Sequence, residues 1–364
     1  MLRILHLDTS QELRGGQRQL LMLACGLRRR GHEQLVVCPE GSALDARARA
    51  EGFRVFALPP HDPGQANGIL QLRQQLLAEP VHILHAHDGR GQALAWLASL
   101  GLPVRRVASR RVTFLPGARA LHRFIYRHTC HAVVAVSEYI RRLLLGSGIP
   151  EAMIELIPDG VEIPAELPSP EARRRARAEW ELSEDAFVVG HVGAFTAEKG
   201  QEVAIEAVRL LAKKLPQARL LLAGSVPRGT ARQIEERVRA AQGRVRLLGY
   251  IENLVPFFAA LDVFIMPSRA EGLGSSALMA MAYGLAVIAS RVGGLPEIVE
   301  EGKTGWLIPA ESPAELASAI IAAASDRPRL GQFGVRARER VRQYSSDIML
   351  ARTEALYLRL LGGA

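Results

Sequence analysis

The feature that most restricts this chain is a rhythm that occurs twice. In the first half, short apolar runs recur at LRILHL (2–7), QLVVC (34–38), RVFAL (54–58), HILHA (82–86), VRRVA (104–108) and HAVVAV (131–136). Brief, continuously apolar runs of this kind are expected of parallel strands buried on both faces. Between the first two lies GGQRQLLMLACGLRRRGH. Its Leu20, Leu23, Ala24 and Leu27 fall at i, i+3, i+4 and i+7, and Gly31 is the natural stop. Strand, helix and strand repeated in this way predict an α/β, doubly wound sheet.

From Ile157 to Arg177 the rhythm breaks. IPDGVEIPAELPSPEARRRARAEW carries four prolines and then a charged helix, which suits a linker. The pattern then restarts at FVVGHVG (187–193), ARLLLAG (218–224), RVRLLG (244–249), DVFIMPS (262–268), LAVIAS (285–290) and GWLIP (305–309). Helices are expected at 200–214, 230–241, 253–260, 275–283 and 312–325. The expected domains are 1–165 and 166–344, two doubly wound, Rossmann-like halves facing a cleft at their strand C-terminal ends, where such sheets bind ligands. A last helix, within 345–364, is expected to pack back on the first domain.

A chain of 364 residues suits two domains, and its 48% hydrophobic and 23% charged composition is that of a soluble globular protein. No apolar run reaches the ~18 residues needed to span a bilayer. MLRILHLDTS carries Asp8 and no small-residue cleavage site, so it reads as a strand and not as a signal peptide. Cys25, Cys38 and Cys130 are an odd number without CxxC spacing, which points to free thiols in a reducing cytoplasm.

The net charge is +9, and residues 1–165 hold 20 arginines, no lysine and 14 acids. A basic half suggests an anionic partner: phosphate, nucleic acid or membrane. A general preference for Arg, 42 against 4 Lys, accounts for the count equally well but not for clustering.

Three loops carry candidate chemistry. Gly15 and Gly16 stand between the first strand and its helix, where backbone amides can approach a phosphate, although a tight turn also asks for glycine there. GAFTAEKG (193–200) contains Lys199, the first lysine of the chain. A compact point charge between strand and helix suits a phosphate, and an exposed helix-start lysine is the alternative. EGLGSSALMAMAYG (271–284) joins Glu271 to a glycine–serine loop at the mouth of an apolar helix. With Ser275 as N-cap, the amides of Leu273 to Ser276 would form an anion-binding nest, and Glu271 would accept hydrogen bonds from sugar hydroxyls. Together these read as a sugar-phosphate clamp.

GAFTAEKG, LGYIENLVPFFAALDVFIMPSRAEGLGSSALMAMAYG, VGGLPEIVEEGKTGWLIP and IPDGVEIP, with RGGQRQLLMLACGLRRRGH near the start, resemble the retaining GT-B glycosyltransferases of family 4. The resemblance extends over essentially the whole chain. It implies a GT-B fold and a sugar transfer from a nucleotide sugar. Lys199 and the Gly16 amide would hold the donor diphosphate. Glu271 with the amides of Gly272, Leu273 and Gly274 would hold the donor sugar, Ser275 and Ser276 the distal phosphate, and the backbone around Tyr250 and Ile251 the base. No Asp-x-Asp motif occurs, in keeping with metal-independent chemistry, so no cofactor is expected. Lys199 and the helix dipole would stabilise the leaving group instead.

Three departures from the family stand out. Ala194 occupies a position usually held by Arg. ASRRVTF places Arg110 or Arg111 where a His is usual. In the E-x7-E signature that starts at Glu271, the second acid falls on Met279, which cannot accept ribose hydrogen bonds.

His85, His87 and Asp88 close a strand. An H-x-H strand puts both imidazoles on one face, but with no third ligand at suitable spacing a metal is not expected. A hydrogen-bonding role of His87 toward acceptor or donor sugar is preferred over a purely structural pair. RRVTFLPGARALHRFIYRHTCH (110–131) interleaves Arg110, Arg111, Arg119, Arg123 and Arg127 with aromatics. Nucleic-acid binding, a surface meeting anionic lipid and a helix packed on the sheet all fit. The family commonly extends lipid-linked or lipopolysaccharide acceptors, so the resemblance favours a peripheral membrane surface and no nucleic acid. The expected function is transfer to a glycan or lipid-linked acceptor in cell-envelope polysaccharide or lipopolysaccharide synthesis. A nucleotide-sugar 2-epimerase of the same fold, or a non-catalytic sugar-nucleotide or glycan-binding relative, is the alternative.

Overall fold

The computed structural model describes residues 1–59, 66–113, 126–227, 229 and 231–362. The chain divides into two compact units, Met1–Gly160 with the C-terminal segment from Ser346, and Val161–Ser345.

The first unit holds a seven-stranded sheet of β1 (Arg3–Leu7), β2 (Glu33–Pro39), β3 (Arg54–Leu58), β4 (Ile83–Ala86), β5 (Arg105–Arg110), β6 (Ala132–Ala135) and β7 (Ile154–Leu156). Every pairing is parallel, in the order β3-β2-β1-β4-β5-β6-β7. The helix Gly15–Arg29 crosses from β1 to β2 and buries the expected stripe of Leu20, Leu23, Ala24 and Leu27. Gly31 follows it at φ 86°, a conformation open to glycine.

The final helix, Ser346–Leu360, completes the first unit. Met349, Leu350, Leu356 and Tyr357 join Leu23, Leu27 and sheet residues in one core cluster. Gly26 permits the approach, because a Cβ there would stand 2.3 Å from Leu350 Cδ2. Burying each large apolar side chain contributes ~1.5–3 kcal/mol, which holds a segment more than three hundred residues from β1 in register with it.

The second unit holds β8 (Phe187–Val192), β9 (Ala218–Ala223), β10 (Val245–Gly249), β11 (Val263–Met266), β12 (Val287–Ser290) and β13 (Gly305–Ile308). This parallel sheet runs β10-β9-β8-β11-β12-β13. Phe187, Val189, Leu220, Leu222, Val263, Ile265 and Ile288 form its core against the helices Gln201–Leu211 and Pro313–Ser325. In both sheets the order reverses once, between β1 and β4 and between β8 and β11. At such a switch point the loops leaving adjacent strands part, and a crevice opens at the strand C-terminal ends.

Some elements escape the sequence pattern. β7 has only three residues and lies just before the stretch from Ile157 that reads as linker. The helix Arg327–Arg340 contains Pro328, Gly331 and Gly334, which read as breakers. Gly334 is there for packing: a Cβ would lie 2.1 Å from the Gly284 carbonyl oxygen. The N-cap of the helix Ser275–Ala282 is Gly274, at φ 109°, and not Ser275, which is the first helical residue.

Candidate functional site

β8 and β11 pair through Val189–Val263 and Gly190–Phe264, and no further. Beyond that point the loop 193–200 leaves β8 and the loop 267–274 leaves β11. Gly200, at φ 67°, brings them into contact, since a Cβ there would lie 2.1 Å from the Pro267 carbonyl oxygen. Arg269 ties them further. Its amide donates to Glu198 O at 2.7 Å, and its guanidinium donates to Ala197 O at 2.6 Å. That guanidinium also pairs with Glu202 and Glu311, each at 2.7 Å.

This lacing brings Lys199 and Glu271 together. Lys199 Nζ donates to Glu271 Oε2 at 2.7 Å, and Ser268 Oγ donates to the same oxygen at 3.4 Å. The Lys199 side chain is 26% exposed and that of Glu271 12%, so the pair lies half-sheltered with access from solvent. Behind the loop stands VGGLPEIV, a motif whose local role the sequence leaves unassigned. Gly294 N donates to Glu271 O at 3.2 Å. A Cβ on Gly293 would meet Glu271 O at 1.8 Å, and one on Gly294 would meet Gly272 O at 2.4 Å.

Gly272, Leu273 and Gly274 are buried. The helix that follows has no acid in its first turn. Ser275, Ser276 and Met279 are half-buried on one face, while Ala277, Leu278, Ala280, Met281 and Ala282 are buried. First-turn amides lack intrahelical partners and carry the positive end of the dipole. Gln201 Nε2 donates to Ala194 O at 3.0 Å, fixing the start of the Lys199 loop through its backbone. Tyr250, 52% exposed, and the half-buried Ile251 follow β10, two strands away from β8.

In the first unit, Gly15 is exposed and Gly16 half-buried at the open end of Gly15–Arg29, whose first turn also lacks an acid. Gln17 Nε2 donates to both oxygens of Asp8, at 3.0 and 2.9 Å. Burial, and next the charge of Asp88, push the Asp8 carboxyl up to about 6. Asp88 caps the helix Gly89–Ala98, accepting from Gly91 N at 2.9 Å and from Thr9 Oγ1.

His87 is 6% exposed and both its ring nitrogens are engaged. Nε2 lies 3.0 Å from His6 Nδ1, and Nδ1 lies 3.3 Å from Arg111 Nη1. A guanidinium only donates, so His87 Nδ1 accepts, His87 Nε2–H donates to His6 Nδ1, and His6 Nε2–H donates to Gln34 Oε1 at 2.9 Å. His87 therefore braces Arg111, and the expectation that it meets a substrate hydroxyl is not supported by its hydrogen bonding.

A third ligand, which the spacing of His85 and His87 does not reveal, is supplied by the fold. It is His6, and one ligand atom each from His6, His85 and His87 lie within 4.8 Å of one another. Yet all six ring nitrogens have protein partners, His85 bonding Tyr357 Oη at 2.5 Å and Ser109 Oγ at 2.8 Å. Burial first, then the charges of neighbouring groups including Arg111, holds His85 and His87 well below the usual imidazole range. Burial holds His6 down at about 4.

The arginines expected to face an anionic surface divide. Arg110 is 9% exposed, with Nε donating to Val112 O at 3.1 Å. Arg111 pairs with Asp159 of IPDG at 2.9 Å, and its Cδ lies 3.9 Å from where a Gly16 Cβ would be. Arg110 ends β5 with its side chain buried, and Arg111, just past the strand, is held inward by Asp159 and His87. Arg127 is exposed, whereas Arg119 and Arg123 lie outside the described residues.

Residues 13–163 match the family described as Glycosyltransferase Family 4, and residues 186–326 match Glycosyl transferases group 1. The GDP-mannose-dependent alpha-(1-6)-phosphatidylinositol monomannoside mannosyltransferase of Mycolicibacterium smegmatis is 30% identical over 352 residues, covering 89% of this chain and 90% of that one. This chain is a group 1, family 4 glycosyltransferase. The N-acetyl-alpha-D-glucosaminyl L-malate synthase of Bacillus anthracis is 26% identical over 85% of this glycosyltransferase and 82% of its own length. Among solved structures, HepE of Anabaena in complex with UDP and glucose superposes with a TM-score of 0.88 at 22% identity, over 98% of this chain and 99% of that one. That likeness establishes a two-domain α/β GT-B fold. Among the described residues, no helix of the glycosyltransferase is long and apolar enough to cross a membrane.

Proposed function

We propose that this glycosyltransferase moves a sugar, with retention of configuration and without a metal, from a nucleotide-sugar donor to a glycan or lipid-linked acceptor. The observation that carries the reading is the Lys199–Glu271 pair, 2.7 Å apart at the mouth of a helix with an acid-free first turn. An ammonium and free amides suit a diphosphate, and a carboxylate beside them suits sugar hydroxyls. The names of the relatives agree in kind: one uses GDP-mannose on a phosphatidylinositol mannoside, and HepE was captured with UDP and glucose.

In this reading the bond from the anomeric carbon to the phosphate oxygen breaks while one to the acceptor oxygen forms on the same face. The departing phosphate takes the acceptor's proton. Lys199 and the first-turn amides stabilise the charge that develops on the leaving group, a role worth several kcal/mol in comparable sites. The setting proposed is cell-envelope polysaccharide or lipopolysaccharide synthesis in the cytoplasm, at the membrane's inner face. Peripheral contact rests on the exposed Arg127, and Arg110 and Arg111 are dropped from it.

The test is incubation with a panel of uridine and guanosine diphosphate sugars, with and without glycan and phosphoinositide acceptors, followed by NMR of the anomeric proton. Transfer with the donor's own configuration is expected. An inverted product would overturn retention, and a 2-epimer formed without acceptor would assign the isomerase chemistry instead.

A further inference from the structure

His191 stands in β8, one of the two strands that part beneath Lys199 and Glu271. Its side chain is wholly buried, with the ring 6.3 Å from Phe264 and nearly parallel to it. β8 and β11 stop pairing at Gly190 and Phe264, and His191 Nδ1 bonds the Ile265 carbonyl at 3.0 Å just beyond. A carbonyl only accepts, so Nδ1 carries the hydrogen and Nε2 presents a bare lone pair. Burial, with a smaller contribution from the Lys199 charge, brings the ring down to about 4 and keeps it neutral.

Among the described residues, Nε2 has no hydrogen-bond partner. Its surroundings show what it faces. A Cβ on Gly193 would stand 3.3 Å from His191 Nε2, 3.6 Å from Lys199 Cγ and 3.7 Å from Lys199 Cδ. The missing side chain of Gly193 therefore leaves a notch bounded on one side by the lone pair and on the other by the lysine stem. A buried acceptor without a partner is costly, and a ring with only a packing role has no use for one in that direction.

We infer that His191 is a positioning residue for Lys199, its Nε2 accepting one ammonium hydrogen through the Gly193 notch when a donor sugar takes the Glu271 carboxylate. An ammonium has three hydrogens to place. In the structure one goes to Glu271. Once that carboxylate turns to the sugar, the His191 lone pair holds the cation and aims its remaining hydrogens at the diphosphate. The inference rests on the proposed role of Lys199 as the diphosphate cation.

Two substitutions separate this role from a structural one. His191→Asn keeps a donor in reach of Ile265 O and loses the distal acceptor. His191→Gln places an oxygen near the position of Nε2 and loses the Ile265 bond. Titration calorimetry without acceptor, using UDP-glucose, GDP-mannose and UDP-N-acetylglucosamine, is run beside melting curves. The expected result is a crossed order: His191→Asn melts nearer to the parent protein but binds about tenfold more weakly, while His191→Gln melts lower yet binds within about threefold of the parent. In a Lys199→Met background, His191→Asn is expected to cost nothing further. Parent-like binding by His191→Asn, or the same order in affinity as in melting, overturns the inference while Lys199→Met still weakens binding. If Lys199→Met binds as the parent does, or the parent binds none of the three probes, the reading of Lys199 itself fails.

Discussion

Lys199 Nζ and Glu271 Oε2 lie 2.7 Å apart, although 72 residues separate them, because their loops leave adjacent strands at the sheet's switch point. Here the cation and the carboxylate satisfy one another. A donor has to exchange that pair for its own diphosphate and hydroxyls. Lys199 stands on a loop with its side chain 26% exposed, so it can be removed without opening the core, and the larger cost should fall on chemistry. Lys199→Ala is expected to lower the transfer rate 10²–10³-fold, the ~2.7–4 kcal/mol of one lost donor to a developing oxyanion, with a smaller fall in melting temperature from the sheltered Glu271 carboxylate left without its cation. A parent-like rate would remove Lys199 from the site.

Met279 shares the half-buried face of its helix with Ser275 and Ser276, one turn on from the helix start. A carboxylate there would remain partly solvated and could reach ribose hydroxyls of a nucleotide held at the first turn. Met279→Glu is expected to tighten nucleoside diphosphate binding by about 1.5–3 kcal/mol, the range for one charge-assisted hydrogen bond. Calorimetry checks it. Weaker binding with a lower melting temperature would mean that the ribose is not held at this position.

Arg111 is an internal strut, held by Asp159 and His87. Arg111→Ser leaves a nearly buried carboxylate without its cation, a change that typically costs ~3–5 kcal/mol. A fall in melting temperature is expected, with binding to vesicles of anionic phospholipid the same as that of the parent protein. Loss of vesicle binding without loss of stability would restore Arg111 to the surface.

Folding stability should fall in acid. His6 and His191 ionise near pH 4 when folded, against a usual 6.5, because burial disfavours the charged ring. The unfolded chain takes up these protons first as the pH falls. The stability is therefore fully present above about 6.5 and lost progressively toward 4, by roughly 1.4 kcal/mol per pH unit for each ring. His85 and His87 act in the same direction. Asp8 opposes them between about 6 and 4, since its folded form holds a proton more tightly than the unfolded one. Thermal melts at pH 7 and pH 5 should differ by several degrees, the acid sample melting lower. Identical curves would contradict neutral burial of these rings.

Much of the architecture was legible in local pattern. Apolar runs at 187–193 and 218–224 and the stripe of Leu20, Leu23, Ala24 and Leu27 mark their elements because strand and helix periods show within a few residues. β7 and the helix Arg327–Arg340 were not legible. Three residues show no period, and Gly334 meets a packing demand from Gly284. The Lys199 and Glu271 loops could be singled out by residue type and by their place between strand and helix. Arg110, Arg111 and His87 were misjudged for a common reason. Residue type indicates what a side chain can bond, while partners brought in by the fold, such as Asp159 for Arg111 and His6 for His87, decide which way it points.

The sequence by itself determined two doubly wound units, their glycine-bearing loops and the family, since all three are written in short stretches whose backbone preferences act locally. Tertiary structure alone decided which polar atoms meet. His6 joins His87 across 81 residues, Tyr357 reaches His85 across 272, and His191 keeps one nitrogen bonded and the other without a partner among the described residues. The physical reason is that a hydrogen bond needs its two atoms within about 3 Å and correctly aligned, and only the packed sheet and its crossing helices set distances that fine between residues so far apart in the chain.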